Sequence, residues 1–163
     1  MASVGEVDHL IICSIEQVPI TLANFDIEAA TRGVTIKLVG YTETVRVLRS
    51  RFRPGASVVL FGGLAKDKPY PGSTMVTVFN QGISGLAKTL AVEIAPHRVN
   101  AIHPAAVGDS PKWRDYKDNP QVPRTPIGRL VTMEEVAGAT EFLLANTGIN
   151  AHDLVIDGGL LVT

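Results

Sequence analysis

Between Ser73 and Ile94 the apolar residues Met75, Val76, Phe79, Ile83, Leu86, Leu90, Ala91 and Ile94 recur at steps of three and four, which predicts one long helix with a broad apolar face. Ser73 is placed to cap its start. Pro96 closes it, because a proline lacks the N–H that a continuing helix needs. The short run Val99-Asn100-Ala101-Ile102 then reads as a strand entering a sheet. The rest of the chain is expected to pack on this helix-to-strand passage.

Before it, the unbroken run His9-Leu10-Ile11-Ile12-Cys13 predicts a parallel strand buried on both faces. A loop through Pro19 leads to a second long helix from about Asp26 to Phe52. Its predicted inward face is Ile27, Ala30, Val34, Leu38, Tyr41, Val45 and Leu48, with Gly33 and Gly40 as weak points and Arg53-Pro54-Gly55 as its end. Ser57 to Phe61 predicts another strand, Gly62-Gly63 a turn out of it, and Ala65 to Gly72 a polar loop. After the central passage, Ala105 to Leu130 holds four prolines and no sustained period. It reads as a long loop with a short helix near Trp113, of the kind that often covers a site. Thr132-Met133-Glu134-Glu135 is a capping box, and the helix it opens should run to about Asn146. Leu154-Val155-Ile156 predicts the last strand and Asp157-Gly158-Gly159 a turn. Strands alternating with helices predict an α/β fold: a parallel sheet of about four strands with three principal helices on its faces, in a single domain over residues 1–163.

Composition narrows the function classes. A chain of 163 residues, 45% hydrophobic, with a formal net charge of −1, can bury one good core and has no block of like charge to hold nucleic acid or a membrane surface. Cys13 is the single cysteine and cannot form an internal disulfide. No segment reaches the roughly 18 to 20 apolar residues of a membrane span, and no charged leader with a long apolar stretch opens the sequence, so the expected address is the cytoplasm.

The run LAKTLAVEIAPHRVNAIHP resembles the helix-to-strand passage of the short-chain dehydrogenase/reductases in its register, its Glu-x-Ala-Pro end and its Arg-Val-Asn-Ala strand. Val7-Asp8-His9-Leu10 is similar to that family's fourth strand, Ser57 to Phe61 to the fifth, Val99 to Ile102 to the sixth and LVIDGG to the seventh. The resemblance implies a partial Rossmann-like, doubly wound sheet and an NAD(P)-dependent oxidoreductase ancestry. It also implies a truncated form, because strands one to three have no counterpart here. With them go the glycine-rich turn that would cradle a pyrophosphate and the residue that distinguishes NAD from NADP.

The same resemblance assigns family site positions to residues that depart from the family pattern. The Asn-Asn-Ala-Gly that follows the fourth strand is replaced by Ile12-Cys13-Ser14-Ile15. The relay asparagine is replaced by Lys37, the serine by Gly63, and the tyrosine and lysine of Tyr-x-x-x-Lys by Val76 and Asn80. Pro104-Ala105, and by spacing Asp109, stand where the family has Pro-Gly and a threonine on the nicotinamide amide. The expectation is that none of these positions is catalytic or holds a cofactor, a pseudoenzyme with the fold and without general acid catalysis. Tyr70, beside Lys66 and Lys68, is the substitute donor the residues offer, though it stands between Pro69 and Pro71 on a loop rather than on a helix facing a cleft. Two alternatives stay open: an active oxidoreductase whose cofactor half lies outside this chain or comes in trans, with Lys37 or Tyr70 as donor, and a non-catalytic oligomerisation module.

Other constellations point elsewhere. His9, His97, His103 and His152 are too far apart in sequence to suggest a metal site. His103 with Asp109 and Ser110 outlines a hydrolytic triad without a nucleophile elbow, so His103 is expected to be a strand-end residue satisfied by backbone. A homo-oligomer is expected through helices 26–52 and 73–95, which carry Val45, Val76, Phe79 and Ile83 on more than one face. The strand 9–13 is expected to pair with another chain or to lie under a covering segment.

Overall fold

The computed structural model describes residues 4–16 and 20–163. Its sheet has four parallel strands in the order β1 (Val7–Ile12), β2 (Phe52–Phe61), β3 (Arg98–Pro104), β4 (Asp153–Ile156). Between them run α1 (Ile27–Val34), a π turn at Thr35–Val39, α2 (Gly40–Leu48), α3 (Thr74–Glu93) and α4 (Met133–Ala145). Because α1, the π turn and α2 follow one another without a break, the principal helices are three as expected, but the first stops at Leu48 rather than Phe52, and Phe52 to Gly55, read as the helix end, already belong to β2. The loop through Pro19 falls partly outside the described residues.

Side chains alternate across the central strands and so feed two cores. Val58, Leu60, Val99 and Ala101 face α2 and α3, where Tyr41, Val45, Ile83, Ala87 and Leu90 complete one cluster. Val59 and Ile102 face α4 and meet Val136 and Leu143. Helices on both faces make this a doubly wound α/β sheet. The capping box forms as expected: Thr132 Oγ1 accepts from the Glu135 N–H and the Glu135 carboxylate accepts from the Thr132 N–H.

Five expectations need correction. The strand β1 is not buried: Ile11 is 47% exposed and only Ile12 is fully inside. An apolar run was read as covered on both faces, whereas α4 packs chiefly on β2, β3 and β4, and among the described residues β1 pairs with β2 alone. The inward face of α1 is not the most apolar one. Ile27 is 72% exposed, while Ala29, Ala30 and Gly33 are buried. Small residues let α3 come close: a Cβ on Gly33 would lie 2.4 Å from Phe79 Cζ. Ser73 does not cap α3 with its side chain, because its Oγ accepts from the Tyr70 N–H and shares a hydrogen bond with Thr77. Finally, Val45, Phe79 and Ile83 are packed inside this chain rather than offered to a partner. The stretch 105–130 is loop as read, but its helical turn is at Val122–Arg124, and Trp113 sits in a series of turns closed by Ser110 carbonyl bonds.

The Arg-Val-Asn strand has a structural job. The buried Arg98 guanidinium donates to the carbonyls of Leu143 and Leu144 in the last turn of α4, at 2.9 and 2.5 Å, and to Ile149 O at 3.0 Å. It thereby satisfies helix-end acceptors and meets the negative end of the helix dipole. Asn100 continues the work, accepting from the His152 N–H and donating to Ile149 O. Arg98→Met should cost about 2–3 kcal/mol, since the Leu143 and Leu144 carbonyls lose a charged donor in a largely buried site. Urea unfolding measures it; a variant as stable as the parent would show that those carbonyls find other donors.

Candidate functional site

The carboxyl ends of β2 and β3 open into a cavity of about 510 Å³. Open parallel sheets place ligand sites at such ends, and the volume is in the range of small-molecule pockets. Its floor is Gly62, Gly63 and Leu64 after β2 and Pro104, Ala105 and Ala106 after β3. One wall is Val76 and Asn80 of α3. Lys112, Trp113, Gln121 and Arg124 come from the long loop, and Ile15, Lys68, Pro69, Tyr70 and Leu160 close the rest. The loop 105–130 thus covers the site. A wider depression of about 610 Å³, lined by residues 122–126, 128 and 163, lies away from the strand ends and shares only Arg124 with the cavity.

Polar groups below the floor are fixed by hydrogen bonds. His103, with none of its surface exposed, accepts the Gly63 N–H at Nδ1 (3.2 Å). Its proton is therefore on Nε2, which faces Asp153 Oδ1 at 3.1 Å and Ser84 Oγ at 3.3 Å. Burial holds its pKa below the ordinary histidine value against the opposing pull of Asp153, so the ring is neutral and the contact is a hydrogen bond rather than an ion pair. His103 is thus satisfied mainly by side chains, with one backbone donor, which corrects the expectation of a backbone-satisfied strand end. It forms no triad with Asp109, whose carboxylate accepts the Met133 N–H at 2.7 Å at the start of α4.

A second buried group stands on the helix bend. Lys37 is 3% exposed; its Nζ lies 2.9 Å from Tyr41 Oη and 3.5 Å from Ser14 O. Tyr41 Oη donates to Ser14 O at 3.0 Å. No carboxylate neutralises the lysine among the described residues, and burial pushes its pKa down to about 8, while burial raises that of Tyr41.

The sequence matches, over residues 2–161, the family model described as enoyl-(acyl carrier protein) reductase. The chain belongs to the short-chain dehydrogenase/reductase family. It is 33% identical to carbonyl reductase family member 4 of Xenopus laevis over 131 residues, 78% of this chain and 55% of that protein. It is 34% identical to human 3-oxoacyl-[acyl-carrier-protein] reductase over 108 residues, 65% of this chain and 45% of that one. A small-chain dehydrogenase solved in complex with NADPH superposes with a TM-score of 0.88 at 25% identity, covering 98% of this chain and 76% of the other. The chain spans about half the length of the curated relatives it matches.

Against that family frame, the structure brings Gly63, Val76, Asn80, Ala105 and Ile15 to one cavity and leaves other positions outside it. Lys37 turns into the core towards Tyr41. Ile12 is buried, Cys13 is an exposed free thiol, and Ser14 gives its carbonyl to Tyr41. Tyr70 stands on the cavity rim, 56% exposed, without its supposed lysine partners: Lys66 pairs with Asp67 at 2.6 Å, and Lys68 donates to the carbonyls of Leu160 and Thr163.

Gly63 and Asn80 are coupled in space. A Cβ on Gly63 would fall 2.9 Å from Asn80 Nδ2, so the amide occupies room that a side chain at 63 would need. Sequence reading missed this pair, the His103 cluster and the Lys37–Tyr41 contact. Only the last had a legible signal, a lysine and a tyrosine four residues apart on one helix face.

Proposed function

We propose that this chain is a catalytically silent short-chain dehydrogenase/reductase that keeps the family cavity as a binding pocket. The observation that carries the reading is the composition of the relay positions on the cavity wall. Gly63, Val76 and Asn80 offer no titratable group, and the ammonium of Lys37 is spent on Tyr41 and Ser14 inside the core. Reduction of a carbonyl needs a donor within hydrogen-bond reach of the developing alkoxide. Tyr70, exposed at the rim and unsupported by a cation, does not meet that need.

The fit to a nicotinamide dinucleotide is poor on the same grounds. A pyrophosphate is held by convergent N–H donors at a helix N-terminus. In this chain the N-terminus of α1 is filled by Asp26, which accepts from the Ala29 N–H, and that of α4 by Asp109, Thr132 and Glu135. NADPH and NADH assays with a panel of aldehydes, ketones and enoyl thioesters should give no turnover above the protein-free rate. Turnover abolished by Tyr70→Phe would overturn the reading and install that tyrosine as the donor.

A further inference from the structure

Three cations line the cavity, Lys68, Lys112 and Arg124, and no carboxylate does. Among the described residues none of the three is in an ion pair. Lys68 donates to oxygens of Leu160 and Thr163, and Lys112 lies 4.9 Å from the centre of the Trp113 ring. A near-neutral protein that gathers three positive charges around one concave, partly apolar site concentrates an anion there.

A second observation points the same way. Asn80 is 4% exposed and lines the cavity, yet its side-chain amide makes no hydrogen bond to any described residue. The amide opens on the cavity rather than being sealed in the core, so an occupant can pair it. The apolar part of the lining includes Ile15, Leu64, Val76 and Pro104. The occupant therefore has an anionic head and an apolar body. A dianionic phosphate is the poorer match, since it calls for a cluster of backbone N–H groups, whereas the positive lining here is three side-chain cations.

We infer that the cavity binds a small monocarboxylate with an apolar body, the carboxylate facing Lys68 and Arg124, the Asn80 amide hydrogen-bonded to it, and the body against Ile15, Leu64 and Val76. This deepens the reading of the pocket as non-catalytic, because it gives the vacated relay positions an occupant. No bond is made or broken.

Trp113 is the only tryptophan and lines the site, so its fluorescence reports occupancy. Titration with 3-phenylpropionate should give a saturable change, and 3-phenylpropanol, the neutral counterpart, should bind about tenfold more weakly or worse. Arg124→Gln, a change on an exposed side chain that leaves the fold intact, and Asn80→Ala should each weaken the carboxylate several-fold without weakening the alcohol. Equal affinity for acid and alcohol, no loss in either variant, or no saturable change through the millimolar range would overturn the inference. Phenyl phosphate binding more tightly than the carboxylate would also overturn it. Turnover of a carbonyl would overturn the preceding reading alone, since the titration is scored without NADPH.

Discussion

Replacing Gly62 by alanine should destabilise this chain by about 3–4 kcal/mol, a loss of roughly 10 °C in melting temperature for a domain of this size. Backbone strain is not the reason. The new Cβ would lie 2.3 Å from His103 Nδ1 and 2.4 Å from Cε1. A flexible side chain would yield, but this imidazole is held by the Gly63 N–H on one edge and by Ser84 and Asp153 on the other, with no exposed surface. Moving it leaves the Gly63 N–H without its acceptor, a loss of about 1–3 kcal/mol, and takes the imidazole donor from Asp153, which is part-exposed and also lies 4.0 Å from Lys88. Gly62→Ala combined with His103→Ala should therefore cost less than the sum of the two single changes. Thermal and urea unfolding of the four proteins decides it; Gly62→Ala within 1 kcal/mol of the parent would show that the ring has room to move.

The glycine shows where sequence reading stops. Its place in a turn was legible from Gly62-Gly63 after an apolar strand, yet its need for the absence of a Cβ comes from a histidine about forty residues away, across neighbouring strands. The same division runs through the fold. Helix α3, the Pro96 stop, β3 and the Thr132–Glu135 box rest on local periodicity and capping, which a sequence carries openly. Exposure of β1 was not legible, because an apolar strand looks the same whether a helix covers its second face or not. Nor was all of the inward face of α1: Ala30 was expected there, but Ala29 joins it beside Ile20 and Met75, and Gly33 faces Phe79, in place of Ile27.

For the site, spacing brought Gly63, Val76, Asn80 and Ala105 to one cavity, since strand ends and the following helix keep their register. Spacing could not show that Asn80 fills the room vacated at Gly63, nor that Lys68, Lys112 and Arg124 meet from a loop of 26 residues, Ala105 to Leu130, and the segment after β2. Both depend on long-range packing. Asp109, placed by spacing among cofactor positions, is committed to the α4 N-terminus instead.

Lys37→Met should raise stability by about 2–3 kcal/mol at pH 7, the opposite sign to Arg98→Met. Both side chains are buried cations without a carboxylate. Arg98 is the side-chain donor to the carbonyls of Leu143 and Leu144 and shares that of Ile149 with Asn100, whereas the Ser14 carbonyl near Lys37 already accepts from Tyr41 at 3.0 Å. Removing the ammonium therefore removes a desolvation cost and strands little, the situation in which an apolar replacement gains. The pH dependence fixes the sign. Burial lowers Lys37 from 10.5 to about 8 in the folded chain, so between pH 8 and 10.5 the unfolded chain binds the extra proton. Stability rises with pH wherever the unfolded state holds more protons. Over that window the parent should gain about 3 kcal/mol, at 1.36 kcal/mol per pH unit. Tyr41, whose folded pKa is raised, acts the other way: above about pH 10 the unfolded phenol ionises first and stability falls again in both proteins. The parent should thus show a stability maximum near pH 10, and Lys37→Met should be flat from pH 8 to 10 and meet it there. Urea unfolding under reducing conditions, which protect the exposed Cys13, measures both curves. A parent whose stability does not rise between pH 8 and 10, or a methionine variant less stable at pH 7, would mean that the ammonium is solvated or paired in the folded protein.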